Sequence, residues 1–278
     1  MRKSDDLAGK AMVITGAGRG IGAVCAETAA QHGALVVVND IDAAVAGETA
    51  ARITEAGGSA IAHCGDIGDP HYAGSLIAAC LAAFGKIDVL VNNAGLFRMA
   101  PAWALSPADM SAMLAVNVMG TFNCAMHAIP LMRAAGQGAI INVTSGAAAG
   151  IADMSAYGAT KGAVSSLTYG WALDLAGTGV RVNAVSPNAT TRMVAAMQEF
   201  KGAQVEDRPF QDPRHTAETV CFLASDRSAD ITGQIIRVAS GQLWLVAPPR
   251  PVPPGRPVTD WSIGGVGQAV QGLLDRQD

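Results

Sequence analysis

The chain has 278 residues, half of them hydrophobic and 15% charged, with a formal charge of −4. That is ample material for a buried core, and the absence of a basic stripe excludes the electrostatic footprint of a nucleic-acid binder. No apolar run approaches the roughly 20 residues of a membrane span, and the start, MRKSDDLAGK, lacks the apolar stretch of a signal peptide. A cytoplasmic protein with no membrane partner is expected. Cys25, Cys64, Cys80, Cys124 and Cys221 lie scattered without a CxxC. They read as small buried hydrophobes in a reducing compartment, not as a disulfide framework. His63 beside Cys64 is the one metal-like pairing, and strand neighbours face opposite ways, so no metal is expected.

In chain order, AMVITG reads as a buried strand and IGAVCAETAAQHG as a helix stopped at Gly33. Between them lies TGAGRGIG, Thr15 to Gly22, whose glycines are spaced GxxxGxG at Gly16, Gly20 and Gly22. A tight turn there needs residues without a Cβ, and the helix start offers free N–H groups to a pyrophosphate. Gly16, Arg19, Gly20, Ile21 and Gly22 are therefore candidate cofactor contacts.

ALVVVND is the second strand and ends at Asp40. A carboxylate at that point can accept both adenosine ribose hydroxyls and repels a 2′-phosphate, which favours NAD. Arg19 argues for NADP, since a guanidinium pairs with that phosphate. A helix from Ala43 to Ala56 leads to the strand SAIAHCGD. At its end Asp66 could meet the adenine amino group and Ile67 could do so through its main chain; the alternative for Asp66 is an Asx-turn. HYAGSLIAACLAAFG is a helix, and IDVLVNNAG, GAIINVTS, GVRVNAVSP and GQIIRVAS are later strands, the last of them closing the series. Strands apolar on both faces, alternating with helices, imply a parallel sheet covered on both sides, with ligands at the carboxyl ends of the strands. The polar clusters fall at such ends.

SAYGATKGAV sets Tyr157 four residues ahead of Lys161. On a helix the two share a face. A tyrosine is a poor base at its ordinary pKa of about 10, and an adjacent ammonium is expected to lower that value. A phenol so tuned can take a proton from an alcohol or give one to a ketone. Ser145, twelve residues earlier at the end of GAIINVTS, could hold the substrate oxygen. Thr144 competes for that place, and only one of two strand neighbours can point into the site.

TGAGRGIG, Asp66, NNAG at Asn92 to Gly95, NVMG from Asn117, Ser145 and YGATK, in this order, resemble the short-chain dehydrogenase/reductase family over roughly Lys10 to Ser240. The resemblance implies a doubly wound, Rossmann-type α/β domain. It implies that Asn93, Ala94 and Gly95 stabilise the sheet and pass the adenine ribose, and that Asn117 helps hold a proton-relay water. It also implies that Lys161 binds the nicotinamide ribose and lowers the pKa of Tyr157, and that Ser145 positions the substrate oxygen. VSPNATTRM, Val185 to Met193, resembles the segment over the nicotinamide, with Pro187 and Thr191 as cofactor contacts. Pro187 is followed by Asn188 where the family has glycine, and the Ser145–Tyr157 spacing is about one residue shorter than in the family. A homotetramer or homodimer is implied, built on the helices from Asn117 and from Tyr157.

The expected enzyme transfers a hydride between NAD, or less favourably NADP, and a secondary alcohol or ketone. An NADP-linked carbonyl reductase and a non-catalytic nucleotide-binding regulator are the alternatives. Leu96, Phe97, Met99 and Trp103 could form one wall of the substrate site, with Asp153 and Met154 nearby. Met193, Val194, Met197 and Phe200 recur at helical spacing in a lid from Thr190 to about Pro213; they either pack on the domain or line the pocket. Residues 1–245 read as one domain, and 246–278 as a proline-rich arm ending in a short helix capped near Ser262.

Overall fold

The structure is a computed structural model that describes residues 5–188 and 212–274. The chain divides into two compact units, Met1–Val246 and Ala247–Asp278.

The larger unit is built on an eight-stranded sheet. Its elements are β1 (Ala11–Ile14), α1 (Gly20–Gln31), β2 (Leu35–Asp40), α2 (Ala43–Glu55), β3 (Ser59–Cys64), α3 (Pro70–Phe84) and β4 (Val89–Asn92). Then come α4 (Pro107–Met113), a π-helical stretch Leu114–Gly120, α5 (Thr121–Ala135), β5 (Gly138–Val143), α6 (Ser155–Asp174) and β6 (Val180–Pro187). After the undescribed residues follow α7 (Pro213–Ala224), β7 (Ile235–Ala239) and β8 (Gln242–Leu245). The strand order is β3-β2-β1-β4-β5-β6-β7-β8, parallel up to β7, with β8 antiparallel on the edge. This is the doubly wound α/β sheet that the alternating pattern implies. The order reverses beside β1, which opens a crevice between the ends of β1 and β4.

Alternation along each strand sends side chains to two separate cores. Met12 and Ile14 join Val36, Val38 and Ile141 against α1, α2 and α7. Val13 joins Val37, Leu90 and Ile140 against α3, α5 and α6. Each fully buried Leu, Ile or Met contributes about 1.5–3 kcal/mol, and both faces must be covered, so apolar strand runs and flanking helices require one another. Helix starts are fixed by aspartates: Asp42 caps α2, Asp69 caps α3 and Asp212 caps α7, each accepting a main-chain N–H two residues on.

Three features differ from the sequence reading. The strands do not end at Ser240: Ser240 and Gly241 both take positive φ, 51° and 69°, and this two-residue turn folds β8 back on β7. A four-residue strand after a turn shows no readable period. Cys64 is exposed, whereas the other cysteines are buried. Finally, Pro107–Ala135 forms one helical run of 29 residues whose most apolar 18-residue window has mean hydropathy 1.3, long and apolar enough to cross a membrane by length and composition. Its apolar side chains serve the sheet: Cys124, Ala125, Ala128 and Met132 are fully buried in the second core. Its buried Asn123 donates to the Ile67 and Gly68 carbonyls at 3.1 Å each. It is thus a core helix of this fold.

The smaller unit holds α8 (Ile263–Leu274), none of whose residues is buried. Ser262 accepts the Gly265 N–H at 3.2 Å at its start, and Arg256 donates to the Gly272 carbonyl at 3.2 Å at its end.

At the opposite end of the sheet from the crevice, the buried Asp88 accepts the Ala11 N–H at 2.8 Å and pairs with Lys86 at 2.9 Å. Asp88→Ala leaves the first N–H of β1 without its acceptor, so stability falls by about 1–3 kcal/mol. Urea unfolding checks this; an unchanged midpoint would show that water replaces the carboxylate at no cost.

Candidate active site

The glycine-rich turn lies at the carboxyl end of β1. Gly16 has φ 61°, and a Cβ there would stand 2.7 Å from Ala94 Cα. A Cβ on Gly22 would strike the Gly16 carbonyl and the Asn93 amide. The glycine spacing therefore reflects two backbone approaches, one to the β4 loop and one within the turn. Asn93 donates to the Thr15 and Gly16 carbonyls at 2.8 and 3.0 Å, and the N–H groups of Asn93 and Ala94 both donate to Thr15 Oγ1 at 3.0 Å. Gly95 continues this loop to within reach of Lys161 and Asn117.

Arg19 stands at the N-cap of α1, and unlike α2, α3 and α7 this helix has no side-chain cap. Its opening N–H groups, next to Gly20 and the half-buried Ile21, are left for an anion. Asp40 is buried; Oδ2 accepts the Gly18 N–H at 3.0 Å and Oδ1 the Asp42 N–H at 3.2 Å. Each oxygen keeps a second lone pair for a further donor. Asp66 Oδ1 accepts the Gly68 N–H at 2.8 Å, an Asx-turn. Ile67 is buried in the core and its carbonyl accepts from Asn123. An uncapped helix start, a glycine turn and a carboxylate at the end of β2 together fit a dinucleotide.

Ser145, Tyr157, Lys161 and Asn117 come together at the ends of β5 and α6. Ser145 accepts the Ala147 N–H at 3.2 Å and hydrogen-bonds the Tyr157 phenol. Thr144 points the other way, its hydroxyl engaged with the Lys161 carbonyl and Ser165 at 2.9 and 2.8 Å, so Ser145 is the hydroxyl that reaches Tyr157. Lys161 donates to the Val143 carbonyl at 2.7 Å and lies 5.9 Å from the centre of the Tyr157 ring. Asn117 sits in the π-helical stretch. It accepts the Leu96 N–H at 2.7 Å and donates to the Leu96 carbonyl and to Thr160 at 2.9 Å each. Its amide is therefore a clamp between the β4 loop and α6. Pro187 ends β6, paired with Val238. Thr191 and the lid residues Met193, Val194, Met197 and Phe200 lie outside the described residues.

The expected net lowering of the phenol is not what burial leaves. Burial pushes Tyr157 up to about 12, only partly opposed by the bond from Ser145. Burial likewise draws Lys161 down from 10.5 to about 8. The amine is aimed at a main-chain carbonyl, not at the phenol oxygen, so desolvation outweighs the mutual effect of the pair. At neutral pH the phenol keeps its proton.

Beside the phenol is a third apolar cluster: Met113, Ala147, Met154 and Tyr157, with Leu96, Phe97, Met99 and Leu105 packed on it. Phe97 meets the Tyr157 ring edge-on at 4.9 Å and 90°. Trp103 does not belong to this wall; it is 89% exposed. Asp153 takes φ 64° and holds the Ala100 N–H through its carbonyl at 3.0 Å, which turns the chain into α6. Sequence reasoning passed over three residues. Thr15 and Thr160 are lone threonines whose importance lies only in whom they touch. Asp42 carries a legible sign, an N-cap acid before an apolar-periodic helix.

A family model described as enoyl-(acyl carrier protein) reductase matches residues 16–242. The cis-4-hydroxycyclohexanecarboxylate dehydrogenase of Sinomonas cyclohexanicum is 37% identical over 242 residues, covering 84% of this chain and 97% of that relative. A short-chain dehydrogenase from Mycobacterium avium superposes with TM-score 0.86 at 32% identity, over 97% of this chain and 96% of that one. A gluconate 5-dehydrogenase from Burkholderia cenocepacia, solved with NADP and tartrate, gives TM-score 0.77 at 33% identity, over 86% and 97%. The chain belongs to the short-chain dehydrogenase/reductase family. It is an oxidoreductase acting on CH–OH groups, in a family that binds a nicotinamide cofactor.

The Lys161 shift has a consequence for stability. Between about 8 and 10.5 the unfolded chain binds this proton and the folded chain does not, so stability rises with pH across that window. The contribution is complete above the unfolded value and is lost as pH falls through the folded one. The buried thiols of Cys25, Cys80 and Cys124, raised to about 12, act oppositely but are common to wild type and variant. Relative to Lys161→Met, the wild type gains stability from about pH 7.5 to about pH 10. Urea unfolding of both proteins measures this; a constant difference would show that the amine is charged when buried.

Proposed function

We propose that this chain is an NAD-dependent dehydrogenase that interconverts a secondary alcohol and its ketone. Tyr157 carries the proton, Ser145 holds the substrate oxygen, and Lys161 and Asn117 support them. The observation that carries this reading is the hydroxyl pair: Ser145 bonded to Tyr157 on an apolar floor, near the Gly95 turn that leads back to the glycine loop.

A nicotinamide held there would supply the hydride to a ketone carbon or take up the one an alcohol gives. Tyr157, held protonated by burial, donates its proton to the oxygen of a ketone, or receives the hydroxyl proton of an alcohol after losing its own. Ser145 donates a hydrogen bond to the same oxygen as charge develops on it. Lys161 is fixed by the Val143 carbonyl, and Asn117 by Leu96 and Thr160, which keeps the amine and the phenol in register on α6. Gly16, Arg19, Gly20, Ile21 and Gly22 would cradle the pyrophosphate, Asp40 would receive the adenosine ribose, and Asp66 and Ile67 would border the adenine. Asn93, Ala94 and Gly95 would pass the ribose and Pro187 would lie by the nicotinamide; Thr191, the further contact expected there, is outside the described residues.

Asp40 supports NAD, because its buried carboxylate would face a 2′-phosphate. Arg19 is the feature that supports the NADP reading, and the gluconate 5-dehydrogenase neighbour was solved with NADP. The floor of Met113, Met154, Leu96 and Phe97 suits an alcohol whose carbinol carbon sits in an apolar frame. The assembly is a homo-oligomer joined through α5 and α6, in keeping with the exposed Met119, Phe122, Met126 and Leu173.

Tyr157→Phe keeps the ring contact with Phe97 and removes the proton carrier. Turnover of an alicyclic alcohol falls by at least about 100-fold while calorimetry still registers cofactor binding; retained turnover would remove Tyr157 from the mechanism. Light scattering gives a mass above that of one chain, and a single-chain mass would exclude the assembly.

A further inference from the structure

We infer that Asp42 sets the dinucleotide preference by holding Arg19 away from a 2′-phosphate. This rests on the dinucleotide reading of the glycine loop given above. Arg19 Nη2 donates to Asp42 Oδ2 at 3.1 Å. Both side chains are about two-fifths exposed, so a ligand can compete for either. The other oxygen of Asp42 caps α2 by accepting the Ala44 N–H at 3.1 Å, and the Asp42 N–H is in turn held by Asp40 at 3.2 Å. The carboxylate that neutralises Arg19 is therefore anchored at both ends of its own residue. It cannot follow the guanidinium if Arg19 swings away.

The loop bearing Arg19 is fixed as firmly. The Gly18 N–H binds Asp40 at 3.0 Å, and the Gly18 carbonyl accepts from Thr49 at 3.0 Å. These bonds fix the backbone and leave the two-fifths exposed Arg19 side chain able to change partner. Beside it lies a cavity of about 450 Å³, lined by Gly18, Arg19, Val45, Glu48 and Arg52 among others. The second cation there, Arg52, is itself paired with Glu27 at 2.9 Å. Among the described residues, both cations that line this cavity are thus matched by acids. A 2′-phosphate arriving beside Asp40 would meet two carboxylates and would have to break an existing ion pair to gain a cation. A ribose hydroxyl meets no such obstacle.

Asp42→Asn tests this cleanly, because asparagine caps a helix as well as aspartate does while giving up the charge. NAD and NADP binding are measured by calorimetry on the wild type, Asp42→Asn, Arg19→Gln and the double variant, with melting temperature as the check on the α2 cap. In Asp42→Asn, NADP affinity rises about tenfold, the worth of one charge-assisted bond, and NAD affinity is unchanged. Arg19→Gln alone leaves the NADP-to-NAD ratio at the wild-type value, and the double variant loses the gain. If Asp42→Asn changes both affinities alike, or if its gain survives without Arg19, the inference is overturned; the second outcome would assign the effect to plain charge repulsion. Should Asp42→Asn lower the melting temperature, Asp42→Ser repeats the comparison with another capping residue. The wild-type ratio tests a different claim: tighter binding of NADP than NAD would overturn the NAD reading, whereas the Asp42 inference stands or falls on the change between variants.

Discussion

A lysine and a tyrosine buried one turn apart on α6 are the constraint around which the site is organised. Burying a charge without a counter-ion is costly, so the group drifts towards neutrality. Lys161 meets this with a main-chain carbonyl in place of a carboxylate, and it retains only part of its affinity for a proton. Tyr157, set among Met113, Met154 and Phe97, keeps its proton more firmly than a free phenol. The pair is therefore less an acidified tyrosine than a neutral phenol beside an amine that gives up its proton more readily than a solvated lysine. Such groups exchange protons without the reorganisation that a solvated ion pair demands.

Holding these groups in place is the work of hydroxyls and amides. Thr15 receives two N–H groups of the β4 loop on one oxygen. Asn117 takes both main-chain groups of Leu96 and passes a third bond to Thr160, which reaches the Tyr157 carbonyl at 2.8 Å. A chain of hydrogen bonds thus runs from the β4 loop to the backbone of the phenol. Interior networks of this kind rigidify when every member is satisfied. At the cofactor end the balance is electrostatic: an uncapped helix start offers partial positive charge, and the acids at the end of β2 confine where further negative charge can sit.

Much of the fold was legible because period and composition carry it. The stretches Leu35–Val38 and Ala139–Ile141 are apolar on both faces, and only a parallel sheet covered on both faces buries both sides. The glycine spacing was legible because absent side chains mark backbone contacts. β8 was not, being four residues after a tight turn with Leu243, Trp244 and Leu245 all exposed. Nor was the apolar length of Pro107–Ala135, since its buried Asn117, Thr121 and Asn123 interrupt the run in sequence but not in space. Trp103 and Cys64 defied expectation for one reason: residue type gives an average burial, whereas position in a loop or on an edge strand decides the particular case.

By itself the sequence determined the α/β architecture, the turn that suits a pyrophosphate and the shared face of Tyr157 and Lys161, because each follows from local spacing along the chain. Only the tertiary structure decided that Ser145 and not Thr144 reaches the phenol, that Asn117 clamps Leu96, and that Arg19 is held by Asp42. It also decided the direction of the Tyr157 and Lys161 shifts. Proximity of charges can be read from spacing, but desolvation depends on everything packed around a group, and that is known only when distant segments have met.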